Sequence, residues 1–307
     1  MIGDVFCGLI GISVASGIPD FRSPGGMYDS LKPELITATE KQREMMRRDP
    51  TYVVEKSMFM NNQFPYLEVR RPFILGTQIH QWKATLAHYF AKLLHTKMGK
   101  LTRVYTQNID GLQYQCEGLP AEKIVSVHGS IGLVSCEACG ASHDFDTFCE
   151  QVRSSIKDIY NIDDQAPSKS SNIFCDKCQE PTLKPATVLF GGNLPEDFYD
   201  YTVKDLPTID LLIIAGTSLV VSPANSIVYN IPDSAIRLIV NNEAVGEFLG
   251  IEYGPHTTRD VFVRGTCEEI FLDLMLLLGW KNDLLELNEK IPHLSYDLIQ
   301  KKLSSKI

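Results

Sequence analysis

Hydrophobic positions along this chain fall into short blocks rich in β-branched residues and bounded by turn residues, at 123–127, 186–190, 211–215, 236–240 and 260–263. Blocks of that length predict buried strands, and 101–105 reads as another. Between several of them the apolar spacing becomes helical: Ile79, Trp82, Leu86, Tyr89, Phe90, Leu93 and Leu94 recur on one helical face. Thr266-Cys-Glu-Glu269 is a capping-box pattern that opens an apolar helix meeting Gly279 at its end. Strands alternating with helices predict an α/β fold built on a doubly wound parallel, Rossmann-like sheet.

Two segments break the rhythm. Residues 30–77 are polar and rich in Met and Arg without a strand-like run, and 131–183 carry paired cysteines around a Ser/Asp/Lys-rich loop. Both read as insertions that pack into one smaller helical and zinc-binding domain. The expected division is a discontinuous sheet domain over 1–29, 78–130 and 184–280, a small domain over 30–77 and 131–183, and a C-terminal tail over 281–307.

Composition narrows the class. A chain of 307 residues with 44% hydrophobic and 22% charged residues can bury a large globular core. Its longest apolar run, 211–221, falls short of the ~20 residues a bilayer span needs. A net charge of −9 argues against a general nucleic-acid grip and suits basic, lysine-bearing polypeptides. The N-terminus shows neither an Arg-rich transit pattern nor a secretory signal, so a cytoplasmic or nuclear site is the expectation.

Four of the eight cysteines form two knuckles, Cys136-x-x-Cys139 and Cys175-x-x-Cys178. Paired thiolates at that spacing can complete a tetrahedron round one zinc ion, leaving no open position for substrate, so the metal is expected to be structural. A disulfide is the weaker reading, because nothing marks the chain as secreted. Cys7, Cys116 and Cys149 read as small buried hydrophobes. His88 and His95 read as helix residues, and His143 lies near a knuckle without metal spacing.

The chemistry concentrates in loops. Residues 11–26, Gly-Ile-Ser-Val-Ala-Ser-Gly-Ile-Pro-Asp-Phe-Arg-Ser-Pro-Gly-Gly, combine small residues that admit a diphosphate with an arginine able to bind it. Thr106-Gln-Asn-Ile-Asp-Gly111 follows a predicted strand, His128 follows another, and Gly216-Thr-Ser-Leu219 a third, so all should emerge at the carboxyl edge of the sheet. Together with the cysteine pairs, these motifs resemble the sirtuin family in sequence and in order, over nearly the whole chain.

That resemblance implies an NAD-dependent protein-lysine deacetylase, class I-like, with NAD and substrate meeting between two domains. In the scheme it implies, the acetamide oxygen of acetyl-lysine attacks C1′ of the nicotinamide ribose. Nicotinamide leaves, and deacetylated lysine and O-acetyl-ADP-ribose are formed. His128 would be the general base, Asn108 would orient ribose and water, and Asp110 would bind the nicotinamide carboxamide. The cofactor-binding set it implies is Gly11, Ser13, Ala15, Pro19, Asp20, Phe21, Arg22, Tyr28, Gln107, Asn108, Ile109, Asp110, Gly216, Thr217, Ser218, Asn241, Asn242, Glu243 and Cys267. An acetylated peptide would lie as an added strand between 187–191 and 216–220, with Val188, Phe190, Gly191 and Leu219 at the substrate. The family's Tyr and Arg for acidic acyl chains have no counterpart in 30–77, so acetyl or another neutral acyl group is expected.

The chain departs from the family in two places. Leu9-Ile10-Gly11 stands where the family has Gly-Ala-Gly, which puts bulk where the diphosphate approaches, and Gly192 stands where a glutamate is common. Two other readings are a protein mono-ADP-ribosyltransferase, which shares the cleavage step, and an acyl-lysine-binding protein whose altered loop has weakened turnover.

Overall fold

The computed structural model describes residues 5–9, 11–18, 26 and 28–304, with backbone placement alone for 5–9 and Gly11. Nine strands follow in chain order among the described residues: β1 Val5–Leu9, β2 Leu101–Thr106, β3 Ile124–Ser126, β4 Gly129–Cys136, β5 Ser142–His143, β6 Leu183–Thr187, β7 Leu211–Ala215, β8 Ile236–Asn241 and β9 Asp260–Arg264. The α-helices are α1 Glu40–Arg48, α2 Lys56–Asn61, α3 Phe64–Gln78, α4 Leu86–Leu93, α5 Phe145–Ser155, α6 Glu196–Asp205, α7 Cys267–Leu277, α8 Lys281–Glu286 and α9 His293–Ser304.

Two compact units emerge. The first comprises Met1–Ile18, Trp82–His128 and Pro195–Ile307, and the second Pro19–Gln81 and Gly129–Leu194. In the first, six strands run in the order β3-β2-β1-β7-β8-β9 with every neighbouring pair parallel. The winding direction therefore reverses between β1 and β7, the position at which doubly wound sheets open a ligand crevice at their carboxyl ends. Central strands covered on both faces need apolar residues throughout. Accordingly Leu212, Ile213, Ile214, Ala215, Ile239 and Val240 are all buried. Helices α4 and α7 pack through Phe90, whose ring centroid lies 4.9 Å from that of Phe271 and 5.7 Å from that of Trp280.

The second unit carries the antiparallel sheet β5-β4-β6. Helix α3 joins the two insertions within it: Arg71 Nε donates to the Ile156 carbonyl at 2.9 Å, its Nη2 meets Asp163 Oδ2 at 2.5 Å, and Tyr66 Oη lies 2.6 Å from Thr187 Oγ1.

Two expected elements differ. The apolar face from Ile79 to Leu94 is not one helix, because α3 ends at Gln78, α4 begins at Leu86, and Ile79 is 68% exposed. Spacing ran across a helix end and a turn without registering either. The block at 186–190 does not join the parallel sheet; β6 covers Leu183–Thr187 and pairs antiparallel with β4. Residues 184–194 consequently lie in the second unit, while 281–307 belong to the first, where α9 packs on α7.

Candidate active site

The register of the parallel sheet assembles the site in the first unit. Leu9 pairs with Thr106 on one side and with Ala215 on the other, and Thr106 pairs with Ser126. Four strands thus end level, and the 3-10 turn Gly11–Ser16, residues 107–110, His128 and residues 216–218 all leave from one edge.

Ser13 is the centre of the polar network. Its buried hydroxyl donates to Asp110 Oδ2 at 2.6 Å and accepts from Asn108 Nδ2 at 2.9 Å. Asn108 N–H donates to Thr106 Oγ1 at 3.1 Å, and Asp110 Oδ1 accepts the Leu112 N–H at 3.0 Å. Burial raises the Asp110 carboxyl above its ordinary range, against the opposing effect of the Leu112 and Ser13 hydrogen bonds. Ile109 is buried between these two residues.

His128 Nδ1 lies 3.1 Å from the Gln107 carbonyl oxygen. A carbonyl can only accept, so this contact places the ring proton on Nδ1 and the basic lone pair of the neutral imidazole on Nε2. The Val127 N–H holds the segment in place by donating to the Thr106 carbonyl at 2.8 Å. Gly129 then turns the chain at φ +76°, where an added Cβ would stand 1.9 Å from the Ala186 carbonyl oxygen. Only glycine fits directly after this histidine.

Gln107 Oε1 is buried without a hydrogen-bond partner. Its residue lines a cavity together with Tyr105, Val127, Ile214, Thr217 and Leu219. On the neighbouring loop Gly216 adopts φ +63°, Thr217 is buried with Oγ1 accepting the Leu219 N–H at 2.9 Å, and Asn241 Nδ2 donates to the Thr217 carbonyl at 3.3 Å. Ser218, Asn242 and Glu243 are exposed, and Cys267 opens α7 behind its N-cap Thr266. Ala15 is half-buried in the Gly11–Ser16 turn. An orphaned buried amide oxygen, a carboxylate, and small-residue turns at a switch point form a donor and acceptor set that fits a dinucleotide. Pro19, Asp20, Phe21 and Arg22 lie outside the described residues. Tyr28 is half-buried in the second unit.

The residues expected at the substrate divide between the units. Val188, Phe190 and Gly191 are in the second, with Gly191 at φ +81°, and Leu219 is in the first, buried at φ +57° with its carbonyl accepting from Asn225 Nδ2. The Phe190 backbone is already paired, its N–H with the Val54 carbonyl at 3.0 Å and its carbonyl with the Lys56 N–H at 2.9 Å.

In the second unit Cys136, Cys139, Cys175 and Cys178 bring four sulfurs within 4.8 Å of one another. Cys136 and Cys178 are 3.6 Å apart at sulfur, and Cys139 and Cys175 3.8 Å. A tetrahedron with Zn–S bonds of ~2.3 Å has sulfur–sulfur edges of ~3.8 Å, so the cluster fits zinc. Burial opposes ionisation of Cys136, yet hydrogen bonds from Thr182 and from the Cys139 and Ala138 N–H groups outweigh it and bring the thiol down to about 6. Sequence spacing missed His143: its Nε2 lies 3.3 Å from Cys175 Sγ and its Nδ1 3.3 Å from Asp176 Oδ1. The pairing of β5 with β4, which sets His143 opposite Val134, is a tertiary fact that no spacing rule contains. Cys116 and Cys149 are buried, and Cys7 lies in β1, whose side chains are not described.

Known proteins resemble this chain over most of its length. The model of the Sir2 family matches residues 10–223. NAD-dependent deacetylase sir2A of Dictyostelium discoideum is 34% identical over 277 residues, covering 89% of this chain and 48% of that protein. NAD-dependent protein deacetylase sirtuin-2 of Danio rerio is 32% identical over 291 residues, covering 90% and 68%. NAD-dependent protein deacetylase sirtuin-3 of Mus musculus is 34% identical over 281 residues, covering 91% and 73%. This chain thus spans about half the length of the Dictyostelium relative.

Proposed function

The chain belongs to the Sir2 family, and from that premise we propose that it is an NAD-dependent protein-lysine deacetylase acting on acetylated lysine in proteins or peptides. The observation that carries this reading is the Ser13–Asn108–Asp110 network at the strand edge from which His128 also emerges. NAD, when bound, supplies the electrophilic ribose carbon and nicotinamide as the leaving group.

The chain's own groups do the rest. Asp110 carries two acceptor oxygens already oriented by Ser13 and Leu112, and the carboxamide of nicotinamide offers N–H donors to match. Asn108, pinned at both backbone and side chain, orients the ribose and a water. His128, with its proton held at Nδ1 by the Gln107 carbonyl, takes a ribose hydroxyl proton at Nε2. Gln107 Oε1, buried and unpartnered, accepts from a ribose hydroxyl. Gly216, Thr217 and Ser218 cradle the adenosine half, Asn241 to Glu243 its ribose, and Cys267 its base through the backbone. The zinc cysteines hold the second sheet together and take no part in the reaction.

The test is nicotinamide release from NAD with an acetyl-lysine peptide, with product mass determined. Peptide-dependent release, formation of O-acetyl-ADP-ribose, and a loss of about 100-fold or more in His128→Ala are expected. Transfer of ADP-ribose to protein, or no peptide-dependent release, would reject the reading.

A further inference from the structure

The Gly11–Ser16 turn is held from two sides. On one, Ser13 binds Asn108 and Asp110. On the other, a strap at residues 83–85 grips it independently. Ser16 Oγ exchanges hydrogen bonds with the backbone of Lys83, donating to its carbonyl and accepting its N–H at 3.0 Å. Thr85, with no exposed surface, donates its hydroxyl to the Ile12 carbonyl at 2.9 Å, and the His88 ring packs beside that hydroxyl with Nδ1 at 2.9 Å.

The strap is itself anchored. Thr85 is the N-cap of α4, and Glu268 of α7 accepts the Leu86 N–H at 3.3 Å and the Ser295 hydroxyl of α9. Lys83 Nζ reaches the Glu289 carbonyl at 2.7 Å. Segments distant in sequence therefore hold the strap on either side of Thr85, and the Thr85 hydroxyl ends on the peptide unit joining Ile12 to Ser13.

We propose that Thr85 is the positioning residue of the cofactor turn: by holding the Ile12 carbonyl it sets Ser13, and through Ser13 the Asn108 amide and the Asp110 carboxylate. The inference rests on the proposed NAD-dependent reading for its kinetic consequence, and on geometry alone for its structural one. Removing the hydroxyl takes away the side-chain bond that ties the Ile12 carbonyl to α4, and the turn is freed to shift. Thr85 touches no reacting atom; it acts through the turn.

The test compares Thr85→Val, nearly the same shape without the hydroxyl, with Thr85→Ser, which retains it. Thr85→Val should lower kcat/KM for NAD about tenfold, through a raised KM for NAD and a lowered kcat, with peptide KM within about twofold, and Thr85→Ser should restore most of the NAD affinity. Unchanged NAD affinity in Thr85→Val, or equal losses in all three constants together with a lowered melting temperature, would overturn the proposal. A wild-type protein that does not bind NAD in calorimetry would defeat the functional reading instead. In that event amide hydrogen exchange without NAD decides: faster exchange at residues 12–17 in Thr85→Val supports the positioning role, and unchanged exchange ends it.

Discussion

Ser13 and Asp110 stand 97 residues apart in sequence and 2.6 Å apart between Oγ and Oδ2. The hydroxyl both neutralises part of the buried carboxylate's desolvation and fixes the rotamer that the Leu112 N–H completes. Ser13→Ala should lower kcat/KM for NAD by about tenfold, the magnitude of one hydrogen bond to a buried charged group. Steady-state kinetics in NAD check this, and an unchanged ratio would show that the carboxylate needs no such support.

The neighbouring His88 makes a pH prediction. Burial takes its pKa from the ordinary 6.5 down to about 3. The unfolded chain therefore gains a proton near 6.5 while the native protein does not, so this contribution to stability is complete above that value. It is lost as pH falls towards 3, at about 1.4 kcal/mol per unit traversed. Urea midpoints at pH 7, 5.5 and 4.5 should fall less steeply for His88→Gln, whose side-chain oxygen can replace Nδ1 as the acceptor of the Thr85 N–H, a bond of 3.1 Å in the wild type. Parallel profiles for the two proteins would contradict the assignment.

Zinc should be releasable from the four cysteines at one equivalent per chain, read with a colorimetric chelator after thiol oxidation. Release should expose 136–183 to limited proteolysis, because β4 and the β6 approach are tied together by the metal's ligands. Zinc content near zero in freshly purified protein, with that segment still protease-resistant, would remove the structural role.

Gly129→Ala should destabilise the protein by about 3 kcal/mol or more, since the new Cβ overlaps the Ala186 carbonyl and the residue is also held at positive φ. The urea midpoint measures it. A shift under about 1 kcal/mol would mean that β4 and β6 separate easily at this point.

The motifs alone were enough to bring the family into view, because glycine turns and strand-terminal polar residues leave a mark in a short window. The zinc cysteines were legible for a similar reason: each knuckle is local, and tetrahedral thiolate chemistry constrains its spacing. The Ile79 to Leu94 face misled because a helical period continues across a helix end when both sides of the break happen to be apolar at the same phase.

What sequence determined, then, was the family, the paired cysteines, and which strand each polar or glycine-rich motif follows. Tertiary structure alone decided their mutual placement. Parallel register sets Leu9 level with Thr106 and Ala215, so that loops 97 residues apart meet as Ser13 and Asp110. Antiparallel pairing draws 183–187 away from the large sheet, and the contact of Thr85 with the Ile12 carbonyl exists only after α4 has packed. The physical reason is range: propensity and spacing act over a few residues, whereas hydrogen-bond partners in a buried site are chosen by whichever segments the sheet brings to one edge.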